Sequence, residues 1–187
     1  MSTFDNVMRN IYNIFVAFVL AYSLTCCSAL YEEAMPSYEK TTLIRVGEKA
    51  PDFTVETLDG NSVTLSQLQG KTTLLIFFAS WCPDCHKQLD AIEQLQSQFD
   101  SSKFAVLAIS RGEKIEDVRE YVAGRGYTFQ VAVDCDSEVY SLYATQYVPR
   151  CFVIDSFGRV LALSVEYNVD KFNLLCDIIS SQLTVVQ

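Results

Sequence analysis

Residues 72–92 read TTLLIFFASWCPDCHKQLDAI, and the rest of the chain is best understood outward from them. The first eight form a continuous apolar run, the pattern of a strand whose sheet is covered on both faces. Leu89, Ile92, Leu95 and Phe99 then recur at helical spacing. Between strand and helix stands Trp81-Cys82-Pro83-Asp84-Cys85. Residues three apart at the start of a helix share one side, so the two sulfurs can come within bonding range. The first cysteine then falls at the helix N-terminus, where unpaired N–H groups and the helix dipole favour a thiolate. Pro83 suits the first helical position because its missing N–H costs nothing there. Thiol–disulfide exchange needs an exposed nucleophilic thiolate and a second thiol able to resolve the mixed disulfide. The pattern makes Cys82 the nucleophile and Cys85 the resolving thiol, with Trp81 covering the exposed sulfur.

Upstream, residues 47–53 (GEKAPDF) lead into a short strand, and Asp59-Gly60 is a strong hairpin signal. Val63 and Leu65 close that hairpin, and residues 65–68 suggest one helical turn ended by Gly70. Downstream, residues 104–109 form a second buried strand, and Ile115, Val118 and Val122 mark a second amphipathic helix. Residues 129–133 are a weaker strand, followed by a short helix through Tyr143. Residues 151–155 and 160–165 look like an antiparallel pair across Ser156-Phe157-Gly158, and Phe172, Leu175, Cys176 and Ile179 form one face of a closing helix. Strands alternating with helices and ending in a hairpin and helix indicate an α/β domain with a mixed sheet.

The chain has 187 residues, half of them hydrophobic and 20% charged, which excludes a disordered chain. A net charge of −9 without a basic stripe excludes a protein built to neutralise phosphates, so nucleic acid is not an expected partner. Seven cysteines with one CxxC are neither a disulfide framework nor a zinc ribbon. Cys82, Cys85 and His86 lack the fourth ligand of a zinc site, so neither metal nor cofactor is expected.

Residues 11–24 (IYNIFVAFVLAYSL) are apolar and uncharged but short of the ~20 residues that span a bilayer. They fit the hydrophobic region of a secretory signal behind Arg9 and Asp5. Leu24-Thr25-Cys26-Cys27 resembles a bacterial lipobox, with Cys27 in register for lipidation and Cys26 as the neighbouring candidate. A cleaved signal peptide and an uncleaved anchor fit the same run. Each reading places the domain across the membrane, in the cell envelope. The expected organisation is a signal over residues 1–27, a flexible tether over 28–45 and one domain over 46–187.

Several motifs together resemble the thioredoxin superfamily, in detail the extracytoplasmic TlpA/ResA-like branch of disulfide reductases. They are Gly47-x-x-Ala50-Pro51-Asp52-Phe53, the Asp59-Gly60 turn with Leu65-Ser66-x-Leu68-x-Gly70-Lys71, Phe77-Phe78-Ala79-Ser80-Trp81-Cys82-x-x-Cys85, Tyr143 with Val148-Pro149, and Phe152-x-Ile154-Asp155-x-x-Gly158. The resemblance implies a thioredoxin core with an N-terminal β-hairpin addition. It makes Pro149 the family's cis-proline, facing the dithiol, and Val148 with Pro149 the edge on which an extended substrate docks. Implied partners are protein thiols and disulfides and an upstream redox protein.

The chain also departs from that pattern. The buried acid that thioredoxins carry six residues before the first cysteine is Ile76 here, and the glutamate many ResA-like members place after the second cysteine is Gln88. Gln88 can hydrogen-bond but cannot take a proton, which leaves water, His86 or Asp84 to deprotonate Cys85. The charge of Asp84 works against a thiolate beside it, so a reducing couple is expected. His86 reads either as an exposed residue of the first helical turn or as a proton-transfer or pH-tuning group. Cys151, two residues after Pro149, is expected on the same side of its strand, as a small buried hydrophobe or a third redox thiol. Cys176 reads as packing, and Cys135 has no assigned role. Two other functions share the sequence. A peroxiredoxin-like thiol peroxidase shares the Ala50-Pro51-Asp52-Phe53 start but would want a Pro and a Thr ahead of its cysteine, and a non-catalytic envelope binding protein would use the fold alone.

Overall fold

The computed structural model describes residues 37–184. The N-terminal apolar run, Cys26 and Cys27 lie outside the described residues. Among the described residues no helix is long and apolar enough to cross a membrane. The elements in chain order are α1 (Tyr38–Thr41), β1 (Thr54–Thr57), β2 (Ser62–Thr64), a 3₁₀ turn (Leu65–Leu68), β3 (Thr72–Phe78), α2 (Pro83–Gln96), β4 (Phe104–Arg111), α3 (Ile115–Val122), β5 (Gln130–Asp134), α4 (Glu138–Tyr143), β6 (Arg150–Ile154), β7 (Val160–Val165) and α5 (Val169–Thr184).

The seven strands form one mixed sheet in the order β2-β1-β5-β4-β3-β6-β7. β3, β4 and β5 run parallel, and β6 and β1 flank them antiparallel. Every residue of β3 is buried, as its unbroken apolar run requires. Its alternate side chains feed two cores. Leu74, Ile76 and Phe78 pack with Cys82, Cys85, Leu89 and Ile92 of the dithiol segment and with Leu175 and Ile179 of α5. Leu75 and Phe77 pack on the other face with Phe53, Tyr140 and Tyr143. Phe77 meets the Tyr140 ring edge-on at 5.3 Å, an arrangement worth ~0.5–1.5 kcal/mol beyond the area it buries. The hairpin closes through Thr57, whose N–H donates to Asn61 O at 2.8 Å, with Gly60 at φ +82 in the left-handed region.

The segment expected as the end of a tether is instead built into the domain from Tyr38 onward. Thr41 is buried, Thr42 bridges Ala144, and the Leu43 N–H donates to Tyr143 O at 2.9 Å. The sequence hides this because the contacts are backbone bonds and threonine hydroxyls rather than an apolar stripe. Phe99, read on the helical face, lies past the end of α2 and meets Phe104 instead.

Candidate active site

β3 ends at Phe78, the chain turns through Ala79-Ser80-Trp81, and α2 begins at Pro83 with Cys82 as its N-cap. Cys82 has extended backbone (φ −91, ψ 111), which aims its sulfur back over the first turn. There Sγ accepts from the Cys85 N–H at 3.3 Å, a donor that a helix otherwise leaves without a partner. Both cysteines stand as free thiols in this structure. Cys82 is 7% exposed and Cys85 fully buried, so the nucleophile expected to be exposed shows solvent only an edge. Burial pushes the Cys85 thiol far up, and its hydrogen bond to Cys82 adds to the rise. The inner sulfur therefore keeps its proton at neutral pH and donates toward the outer one. A thiolate at Cys82 is met by two donors, the N–H and S–H of Cys85, both fixed before any substrate arrives.

The opposite wall is the loop entering β6. β6 pairs with β3, and Arg150 sits in register with Phe77, which brings the residues before Arg150 beside the turn that carries the dithiol. The Val148–Pro149 peptide bond is cis. Cys82 Sγ lies 3.7 Å from Val148 O. Val148 is half-buried and Pro149 buried. Two non-glycine residues with left-handed backbone serve this loop: Tyr147 (φ +71) within it, and Glu166 (φ +60), whose N–H donates to Pro149 O at 2.9 Å.

Below and beside the dithiol the surroundings are sorted by polarity. Ile76 and Cys151 face each other in register on β3 and β6, both fully buried. Desolvation pushes the Cys151 thiol up to about 12, so it is inert as a nucleophile near neutrality. Gln88 is buried on α2, and its Nε2 lacks a hydrogen-bond partner. On the other flank, Glu113 accepts from Ser80 N at 2.8 Å, from the Ser80 hydroxyl, and from Ser110 Oγ at 2.5 Å. His86 Nε2 donates to Ser80 O at 2.6 Å, and its ring stacks on Tyr121 at 4.8 Å. Ser80, between β3 and Cys82, is thus held by both its backbone groups and its side chain.

The AhpC/TSA family model matches residues 46–163, from the loop before the hairpin to the middle of β7. The chain belongs to the AhpC/TSA family. Within it, the chain is 29% identical to the thiol-disulfide oxidoreductase ResA of Bacillus thuringiensis over 132 residues, covering 71% of this chain and 75% of the relative. It is 28% identical to ResA of Geobacillus thermodenitrificans over 123 residues, covering 66% of this chain and 71% of the relative. Among solved structures, a candidate protein disulfide isomerase from Bacteroides thetaiotaomicron superposes with a TM-score of 0.73 at 34% identity, covering 77% of this chain and 93% of that one. A candidate thiol:disulfide interchange protein DsbE from Chlorobium tepidum superposes at 0.69 with 31% identity, covering 74% and 99%. The fold is that of thioredoxin.

In this AhpC/TSA protein the remaining residues singled out from sequence take distinct places. Trp81 is 72% exposed, so most of its ring is offered to solvent instead of covering the Cys82 sulfur. Asp84 pairs with Lys87 at 2.9 Å, both side chains more than half exposed. Solvent and the ammonium together blunt the charge expected to act on Cys82. His86 is half-buried and tethered through Nε2 to the Ser80 carbonyl, not a free surface residue. Cys176 is half-buried on α5 and Cys135 is exposed. Sequence reading missed Glu113, Ser80 and Ser110. Their signal is topological: β3 and β4 are parallel neighbours, so the loops leaving both strand ends meet at the dithiol.

Proposed function

We propose that this thiol–disulfide oxidoreductase is a reductase of protein disulfides that works in the cell envelope, outside the bacterial cytoplasm, on an N-terminal lipid or signal anchor. The reading is carried by one observation: the nucleophilic sulfur of Cys82 faces the Val148 carbonyl across the loop where an extended chain would pair, while Cys85 waits behind it as a buried thiol. The Cys82 thiolate attacks one sulfur of a substrate disulfide, forming a mixed disulfide and releasing the other substrate sulfur as a thiolate. Cys85 then loses its proton and attacks Cys82 Sγ, which expels the second substrate thiol and leaves the Cys82–Cys85 disulfide. Two electrons have passed to the substrate, and an upstream dithiol must return them. Trp81, Val148 and Pro149 line the face on which the substrate chain lies. The envelope location rests on the apolar run at residues 11–24 and on Cys27 or Cys26 as lipid acceptor.

The reducing character of the couple has two supports: the Cys82 sulfur meets the Val148 carbonyl and the Cys85 N–H, neither of them a cation, and Cys85 is held protonated by burial. Equilibration in graded dithiothreitol buffers, with thiols counted by mass after alkylation, tests the proposal. A two-electron transition near −270 mV, abolished in Cys82→Ser and Cys85→Ser, is the expected result; a midpoint near −120 mV would make the protein an oxidant.

A further inference from the structure

We propose that residues 38–42 form a strap that positions the loop of residues 146–150 for protein substrates, with Tyr38 and Arg150 as the positioning residues through which it acts. The inference rests on the dithiol reading above and adds to it the means by which the docking edge keeps its shape.

Arg150 directly follows Pro149 and is fully buried. Its guanidinium donates to Thr42 Oγ1 at 2.6 Å, to Thr41 Oγ1 at 2.9 Å and to Gln146 O at 2.7 Å. None of these acceptors is a carboxylate, and its Nε lacks a hydrogen bond. A buried charge persists only where dipoles replace the water it has lost. Of these acceptors two come from the strap and one from the docking loop itself, and the Tyr140 phenol also lies against the guanidinium. Both threonine hydroxyls donate onward to Tyr38 O, at 3.0 and 2.6 Å, which turns their lone pairs toward the guanidinium. The strap is pinned in turn by the Thr145 N–H donating to Thr41 O at 2.9 Å. Arg150 thus ties the strap to Gln146, across the loop that contains Val148 and Pro149.

Tyr38 supplies the second, separate contact. Its ring meets Tyr147 edge-on at 5.2 Å, and the Glu166 carboxylate beside its hydroxyl pushes that phenol up to about 12. Tyr147 and Glu166 are the two left-handed residues serving the loop, and Glu166 holds Pro149 O. Such backbone is kept in non-glycine residues only when the surroundings fix it. One side chain of the strap touches both.

The test uses the full chain in detergent, comparing wild type with Thr41→Val/Thr42→Val and with the milder Tyr38→Phe. Three quantities are read: reduction of insulin, reduction of a small aromatic disulfide that needs no docking edge, and hydrogen exchange of the Glu166 amide. The threonine double variant should raise KM for insulin roughly tenfold, the scale of one hydrogen bond to a charged group. Its kcat, its small-disulfide rate and its midpoint potential should stay within twofold or a few millivolts of wild type. Exchange at Glu166 should quicken while β3 and α2 keep their protection; Tyr38→Phe should shift both readouts the same way by less. An unchanged KM, or a parallel fall in small-disulfide rate, would overturn the strap. If the wild type reduces neither substrate, the dithiol reading fails and exchange at Glu166 alone decides: quickened supports the strap, unchanged overturns it. Should the double variant lose protection throughout, Tyr38→Phe carries the same decision.

Discussion

Replacing Gln88 by glutamate puts an ionisable acid where this chain has an amide, one helical turn beyond Cys85 on the same buried face. Gln88 is only 2% exposed and its Nε2 has no partner, so a carboxylate there would meet nearly the full cost of desolvation. That cost lifts a glutamate by about three units from its ordinary ~4.3, to near neutrality. The folded-state value then lies above the unfolded one. Stability is therefore whole below about pH 4 and is lost as pH rises through the folded value. At about 1.4 kcal/mol per unit, Gln88→Glu should lose roughly 4 kcal/mol relative to wild type by pH 7.5 and almost nothing at pH 4. Urea unfolding of the reduced proteins at both pH values reads the difference directly. A proton acceptor at this place should also speed resolution of the mixed disulfide at pH 7 by about a hundredfold, the low end for general base catalysis. Stopped-flow release of the second substrate thiol measures it. A stability difference that does not change with pH would show the site to be hydrated, and an unchanged resolution rate would show that Cys85 does not use this face; either result would overturn a dry acceptor site at Gln88.

Other outcomes follow from the same geometry. Cys85→Ser should accumulate a mixed disulfide at Cys82 that mass spectrometry detects, whereas Cys82→Ser should trap none; trapping by the latter would exchange the roles of the two sulfurs. Cys85 and Cys151 both have folded-state values raised above the ordinary 9.0, so the stability they lend is complete below pH 9 and is lost as pH climbs toward 12. Cys151→Ala should flatten that alkaline decline by about 1.4 kcal/mol per unit in chemical unfolding at pH 9.5 and 11. Glu113→Gln replaces an acceptor that receives three hydrogen bonds with a group bearing its own donors. It should cost about 2 kcal/mol in urea unfolding and slow attack by Cys82 on a small disulfide; full activity would show that Ser80 needs no such clamp.

The α/β class, the hairpin at Asp59-Gly60 and the start of α2 at Pro83 can be read straight from the chain, because each follows from local rules. An unbroken apolar run makes a buried strand, a turn dipeptide makes a hairpin, and a proline fits only the first turn of a helix. The dithiol was legible for the same reason: its two sulfurs are three residues apart on one element. Contacts between residues far apart in the chain emerge only once it is folded. Glu113 reaches Ser80 because two strands run parallel, Arg150 reaches Thr41 and Thr42 across more than a hundred residues, and Tyr38 reaches Tyr147 and Glu166 together. Hydroxyls, carbonyls and single charges carry no periodicity, so no pattern along the chain announces them. Trp81 and His86 teach the same lesson at short range. One stands in solvent and the other is bound to a carbonyl, and the packing around each, not its place in the motif, decided which.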